Sequence, residues 1–351
     1  MTVLGLDIGG ANLKAAVPGG RAVAVPFPLW KQPERLAAAL TELASAFPAA
    51  DELAVTLTGE LCDCYETKRA GVHAILDAVV RVAAGRPVRV WGTGGRFLSP
   101  EEARAVPLVV AAANWHALAT FASRFAHEDG GLLIDIGSTT SDLVPLDHGL
   151  PVARGLTDVD RLARRELVYV GVRRTPVCAV AADPVCAEWF ATTQDVYTVL
   201  GLLPEAPEDR DTADGRPATV EYSLARLARM LGGDRDQLDD ATLVRFATRV
   251  DAHIREKLVA AARAVAGTAA TTATAATAAA TVTGTAPQEP TEPRTVIVSG
   301  SGEFLARRVA EEAFAGVPPR RVVSLSEELG PLVSACAPAH AVAVLAAESR
   351  P

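Results

Sequence analysis

Long apolar runs flanked by charge are missing from this sequence. No stretch of ~18 such residues occurs, the length needed to cross a bilayer, so no membrane span is expected. The first residues, MTVLGLDIGG, lack a basic region and carry an acid at Asp7, so they do not read as a signal peptide. Positive charge is not in excess either. Thirty-four Lys and Arg stand against 42 Asp and Glu, a formal net charge of −8, which argues against a general nucleic-acid binder with its basic face. The five cysteines, Cys62, Cys64, Cys178, Cys186 and Cys336, are few, odd in number and scattered. They form no disulfide framework, and a reducing cytoplasm is expected. Lysine is scarce: four of the 34 basic residues are lysine, namely Lys14, Lys31, Lys68 and Lys257. Where arginine serves almost everywhere, a retained lysine is a candidate for work only lysine does. At 351 residues the chain is long enough for two domains with real cores.

What is present is an alternation of strand and helix patterns. A short apolar run over 2–6 breaks at Asp7-Ile8-Gly9-Gly10, and a second follows over 13–17, which reads as two strands joined by a tight glycine turn. Helical spacing recurs at Leu36, Leu40, Leu43 and Phe47, again over 70–84, and through most of 100–125. Residues 53–58 and 88–91 read as strands. The stretch from Leu132 repeats the opening theme: an apolar run, Asp135, Gly137, small polar residues, then Asp142-Leu143-Val144. Residues 151–250 mix charged helical stretches with loops, including an acidic loop at 204–217. A helix is predicted over 251–266. Residues 267–293 are Ala/Thr-rich, then Pro/Glu-rich, and are predicted to be a flexible insertion. A strand over 295–299, a helix over 304–314, a strand over 321–325 and a helix over 339–348 close an α/β pattern.

Three glycine-rich turns, each leaving a strand, carry the chemistry. The first is Asp7-Ile8-Gly9-Gly10-Ala11-Asn12-Leu13-Lys14. Glycines let the backbone approach a phosphate and aim amides at it. Asp7 at the strand end is placed to hold Mg²⁺, usually through water, and Lys14 can reach back as a point charge. The second is Asp135-Ile136-Gly137-Ser138-Thr139-Thr140-Ser141-Asp142, where hydroxyls can donate to phosphoryl oxygens. The third is Ser299-Gly300-Ser301-Gly302-Glu303, entering a helix whose N-terminal amides favour an anion. Singly, each turn also reads as a plain hairpin or surface turn. The recurrence of the acid-then-glycine layout points to two similar halves facing a shared cleft.

Together the turns resemble the phosphate-1, phosphate-2 and adenosine motifs of the actin, sugar kinase and Hsp70-like superfamily, over almost the whole chain. The resemblance implies an α/β protein of two ribonuclease H-like lobes around a central cleft, the actin-like ATPase/sugar kinase fold. The lobes are expected at 1–128 and 129–351, the second with a substrate-facing insertion at about 151–250 and a glycine turn at 299–303. A closer resemblance is to the hydantoinase A and oxoprolinase branch. Closer still are the tetrahydromethanopterin-linked one-carbon transfer pathway proteins, which include the methanofuran-biosynthesis condensing enzyme. The segments that carry this are Thr58-Gly59-Glu60-Leu61-Cys62-Asp63-Cys64-Tyr65-Glu66-Thr67-Lys68, Asn114-Trp115-His116-Ala117-Leu118-Ala119, Thr157-Asp158, and Glu166 to Val177.

That resemblance implies a Mg²⁺-dependent transferase. It would condense an aminomethyl-furanmethanol diphosphate with the phenol of glutamyl-tyramine and release pyrophosphate, in formaldehyde-oxidising bacteria that use a methanofuran-like carrier. The candidate metal ligands are Asp7, Asp135 and Asp142. The candidate phosphate and cofactor contacts are Gly9, Gly10, Asn12, Gly137, Ser138, Thr139, Thr140, Gly300, Gly302 and Glu303. The catalytic candidates are Asp63, Glu60, Lys68 and Lys14, and the substrate candidates are Asn114, Thr157, Asp158 and Arg173. Plainer readings stand beside these. Asp63 and Glu60 also read as helix caps, Lys68 as a surface salt bridge, and Thr157 as an N-cap. Arg173 and Arg174 also read as a solvated basic pair. Cys62-x-Cys64 lacks the second pair a zinc site needs, and His116 reads as core. The alternative function is an ATP-dependent hydantoinase/oxoprolinase-like hydrolase or small-molecule kinase, with ATP as cofactor. A third is a nucleotide-gated clamp without turnover. The partners expected are a small-molecule diphosphate and a phenolic substrate, not nucleic acid or membrane, with a homodimer left open.

Overall fold

The computed structural model of the chain describes residues 2–126, 130–278 and 293–349. One sheet holds β1 (Thr2–Gly9), β2 (Asn12–Ala16), β3 (Ala22–Pro26), β4 (Ala50–Thr58), β5 (Val88–Gly92) and β6 (Arg96–Leu98), in spatial order β3-β2-β1-β4-β5-β6. A second holds β7 (Gly131–Ile136), β8 (Ser141–Asp147), β9 (Leu150–Pro151), β10 (Leu167–Val168), β11 (Thr295–Ser299) and β12 (Arg321–Ser324). Its order is β10-β8-β7-β11-β12, with β9 appended to β8.

The two sheets share one plan. In each, the first strand is antiparallel to the second and the second to the third (β1, β2, β3 and β7, β8, β10). The first strand also runs parallel to the fourth, and the fourth to the fifth (β1, β4, β5 and β7, β11, β12). This is the ribonuclease H-like lobe built twice, the expected actin-like ATPase/sugar kinase fold. The central strands read as near-continuous apolar runs because parallel strands are covered on both faces. In the first sheet Leu4, Leu6, Leu53 and Val55 are buried on one face and Val3 and Ala54 on the other; in the second, Leu132, Ile134, Val296 and Val298 are buried on one face and Leu133 and Ile297 on the other. Parallel neighbours need crossover helices, and Leu36–Ser45 and Lys68–Ala83 serve as such in the first lobe.

Helix Asn114–Ala122 is buried on most of its circumference because it lies between the lobes. Trp115, Leu118 and Ala122 pack with Leu133, Val144 and Ile297, while Ala117 and Phe121 pack with Val3, Ala54 and Val342. Proline divides the stretch ahead of it, with Pro107 opening a separate helix because it lacks the amide to continue the previous one. The C-terminal helix Ala337–Glu348 lies in the stretch assigned to the second lobe, yet it packs on the first sheet. A Cβ on Gly5 would stand 1.9 Å from the Ala339 carbonyl oxygen, so the two backbones nearly touch. The lobe boundary expected at 128 falls within residues 127–129, outside the described residues.

The long helix runs Asp240–Ala278, well past the predicted 251–266. Residues 267–278 of the expected flexible insertion continue it. Alanine is the strongest helix former, and extending an existing helix needs no new nucleus. The rest of that insertion, 279–292, lies outside the described residues. Among the described residues no helix is long and apolar enough to cross a membrane.

Candidate active site

A cavity of about 670 Å³ lies between the sheets and is lined from both lobes. β1 and β7 deliver matching acids to it. Asp7 faces Lys14 in the β1–β2 register, and Asp135 faces Asp142 at the equivalent place in β7–β8. Cross-strand partners stand ~5 Å apart, so Lys14 offsets Asp7 while Asp142 repels Asp135. Burial pushes the Asp7 carboxyl up, against the pull of Lys14. Asp135 is pushed up to about 6, by burial first and Asp142 second, and it senses both Lys14 and Asp7. Asp7 Oδ1 is buried with no hydrogen-bond partner among the described residues. An orphaned carboxylate oxygen beside a second, half-buried carboxylate fits a hard cation that keeps its other positions for phosphate and water. Among the described residues no group of three or more His, Cys, Asp or Glu side chains is arranged to hold a metal alone. The residues present therefore fit a cation that arrives with a phosphate.

Asp142, expected as a third metal acid, is engaged otherwise. Its Oδ1 accepts from the Arg161 guanidinium at 2.7 Å. That guanidinium is buried and stacked 3.9 Å over the Trp115 ring.

Gly9, Gly10 and Asn12 line the cavity from the first lobe, and Gly137, Ser138, Thr139 and Thr140 from the second. The second turn is closed by the Gly137 N–H donating to the Thr140 carbonyl at 2.8 Å. It is tied to the 172–174 segment, whose Arg173 and Arg174 amides share the Ser138 carbonyl. Of the third turn, Gly300 and Ser301 reach the cavity. Gly300 has φ +91°, and a Cβ there would stand 2.2 Å from the Ile136 carbonyl, so only glycine fits. Gly302 and Glu303 do not line the cavity, contrary to expectation. Gly302 donates to the Ile136 carbonyl at 2.8 Å. The Glu303 carboxylate is bonded to the Ser324 hydroxyl and the Ser326 amide, so it holds the start of helix Leu325–Leu329.

The same cavity is lined by Glu60, Asn114, Trp115, Asp158 and Tyr169, and by Trp30 and Arg174. Glu60 is 1% exposed, and its Oε2 has no hydrogen-bond partner among the described residues. Burial pushes its carboxyl up to about 7, against backbone hydrogen bonding and the Lys68 charge. Lys68 Nζ lies 3.7 Å from Glu60 Oε1 and 2.5 Å from Asp158 Oδ2, so it joins residues of both lobes. Lys68 does not itself line the cavity, although both of its partners do.

Asp63, expected as an alternative base, is exposed and outside the cavity. The loop coils, with the Cys62 amide on the Gly59 carbonyl and the Tyr65 amide on the Cys62 carbonyl, which turns Glu60 inward and Asp63 outward. Helix Lys68–Ala83 presses on this loop: a Cβ on Gly71 would stand 2.4 Å from the Glu60 carbonyl oxygen. Thr157 does not line the cavity either, and caps its helix by accepting from the Asp160 amide at 3.2 Å. Arg173 does line it, paired to Asp209 at 2.6 Å.

Several lining residues were invisible to sequence reasoning. Trp30 has no local signal, yet its ring lies 4.6 Å under the Arg174 guanidinium, which the sequence offers beside Arg173 as a basic pair. The acidic loop at 204–217 sends Pro204, Ala206 and Asp209 to the cavity. It is pinned by the fully buried Arg226, which pairs Asp195 at 2.7 Å and Asp214 at 2.9 Å. His116 is core, as read. It accepts from Trp91 Nε1 at 3.3 Å, and burial lowers it to about 4, so it is neutral.

A model of the hydantoinase/oxoprolinase family matches residues 51–348. A protein of Methanocaldococcus jannaschii named (4-{4-[2-(gamma-L-glutamylamino)ethyl]phenoxymethyl}furan-2-yl)methanamine synthase is 33% identical over 354 residues, covering 98% of this chain and 97% of that protein. A protein of the same name from Methanococcus vannielii is 26% identical over 222 residues, 61% of this chain and 89% of that protein. Nucleotide-free acetone carboxylase superposes with a TM-score of 0.50 at 11% identity, over 97% of this chain and 70% of that one, a likeness of fold.

Proposed function

Because the chain belongs to the hydantoinase/oxoprolinase family, we propose that it is a synthase of methanofuran-like carrier biosynthesis, carrying out the condensation its Methanocaldococcus jannaschii relative is named for. One substrate on this reading is an aminomethyl-furanmethanol diphosphate, the other the phenol of glutamyl-tyramine. The phenol O–H gives its proton to Glu60 and its oxygen bonds to the methylene carbon on the furan. The bond from that carbon to the diphosphate oxygen breaks, and pyrophosphate leaves with the electron pair. The furan ring stabilises positive charge on the methylene carbon, so the protein's main task is to accept the charge of the departing pyrophosphate. The backbone amides of the two glycine turns, the hydroxyls of Ser138 and Thr139, and Lys14 are preorganised donors for it, worth ~3–4 kcal/mol each where such donors act. Asp7 and Asp135 are the residues that would hold Mg²⁺, which when bound neutralises diphosphate charge.

The phenol has a pKa of about 10, and Glu60 is held at about 7. A carboxylate that is ionised near neutral pH and strongly basic for its type suits general-base work. Trp30, Trp115 and Tyr169 give the cavity aromatic walls for flat rings. The observation that carries the reading is one cavity lined both by the two glycine turns and by the buried Glu60 carboxylate, which has one oxygen without a hydrogen-bond partner among the described residues and is poised near neutrality.

The test is incubation of the purified protein with Mg²⁺ and both substrates, without nucleotide, with ether product followed by mass spectrometry and pyrophosphate release measured. Calorimetry with Mg²⁺–pyrophosphate against Mg²⁺–ATP runs beside it. Product without ATP supports the transferase. A second reading, an ATP-dependent hydrolase or small-molecule kinase, is favoured by Gly300 and Ser301 in the cavity wall. Tight ATP binding without pyrophosphate binding, together with ATP consumption, would establish that reading instead.

A further inference from the structure

Lys68 is one of four lysines in the chain and stands between two carboxylates of unequal distance. Its ammonium is 2.5 Å from Asp158 and 3.7 Å from Glu60. Glu60 and Lys68 belong to the first lobe, on the loop after β4 and the start of helix Lys68–Ala83. Asp158 opens helix Asp158–Ala163 in the second, 90 positions away along the chain. The Lys68–Asp158 contact therefore exists only with the lobes together. If they part, Asp158 leaves with its lobe and Lys68 keeps Glu60 as the carboxylate beside it. We infer that Asp158 is a positioning residue: across the closed cleft it draws Lys68 off the Glu60 carboxylate, so that the base is released only when the lobes meet.

This rests on the reading of Glu60 as the base. The groups that face Glu60 are consistent with it. Lys68 comes from its own lobe, Asp158 from the other, Cys62 from its own loop, and the Ala112 amide from the segment ahead of helix Asn114–Ala122. Tyr169 and Arg174 belong to the same cluster, since Tyr169 senses Asp158, Lys68 and Arg174. Within the set Lys68 is the cation next to Glu60, and where it sits decides whether the carboxylate is engaged or available. The unpartnered Glu60 Oε2 is what an available base looks like in the closed arrangement. A lysine is suited to this exchange, being a compact charge on a flexible stem that can swing between two acids.

The experiment is an infrared pH titration of the full chain. The protonated-carboxyl band of Glu60 is assigned as the one lost in Glu60→Gln. Asp158→Asn returns Lys68 to Glu60 and should move the Glu60 midpoint down by about one pH unit, the size expected of an opposite charge brought to contact. Lys68→Met should move it up by a similar amount. In turnover, the acidic limb of the kcat profile should follow these midpoints while KM stays within about twofold, a pattern that loss of mere scaffolding would not produce. A midpoint unchanged or raised in Asp158→Asn overturns the inference. The titration needs no substrate. Midpoints that move as expected in a protein that makes no ether would uphold the switch and reject the proposed condensation.

Discussion

Replacing Glu60 by glutamine keeps the shape of the side chain and removes its charge. In the folded protein this carboxyl is moved from its ordinary 4.5 to about 7, chiefly by burial. At ~1.4 kcal/mol for each tenfold change in proton affinity, that corresponds to about 3 kcal/mol. The sign follows from which state holds the proton more tightly. With the folded value raised, the group's stabilising contribution is fully present below pH 4.5 and is lost as pH rises to about 7. Above that the folded protein carries a buried charge. Wild type should therefore lose about 3 kcal/mol from this residue across that interval, and Glu60→Gln should lose none of it. Urea unfolding of both proteins at about pH 4 and about pH 8 measures this, and the stability gap in favour of the variant should grow with pH. The same variant should lose ~10²- to 10⁴-fold in kcat, the usual worth of a positioned base. A gap that stays constant across pH would refute the buried-carboxylate argument. Turnover within about threefold of wild type would refute the catalytic one.

Asp7→Asn and Asp135→Asn should each cost more than ~100-fold in turnover without lowering the melting temperature, because burial disfavours the charge in both. Near wild-type activity in both would remove the metal assignment. Arg161→Met strands the buried Asp142 carboxylate and should cost ~3–5 kcal/mol in denaturant unfolding, partly recovered by adding Asp142→Asn. A cost under about 1 kcal/mol would show that the pair is not what holds these side chains. Gly71→Val puts a side chain 2.4 Å from the Glu60 carbonyl and should displace the base. The expected result is a folded protein by circular dichroism with kcat reduced about tenfold or more, displacements of this size being expensive at a reacting centre.

Much of the architecture is written in local pattern. Each acid-then-glycine turn ends an apolar run, and that local sequence sets where a strand stops and which acid stands at its tip; it is the recurrence of that layout at Asp7, Gly9 and Gly10 and again at Asp135 and Gly137 that points to one shared cleft. Burial on both sheet faces makes the central strands apolar throughout, and that too is visible in the residues. What could not be read is which distant groups meet. Glu60 and Asp63 are equivalent in the sequence, and only the coil of the loop under Gly71 sends one inward and the other to solvent. Asp158 reads as a helix opener until the second lobe brings it to Lys68, and Asp142 reads as a metal acid until Arg161 takes it. Trp30 and Arg174, and the return of the last helix to Gly5, likewise exist only once both lobes are packed. A hydrophobic or charged pattern tells a residue which way to face, but long-range pairing depends on the free energy of the whole assembly, and no short window of sequence contains its partner.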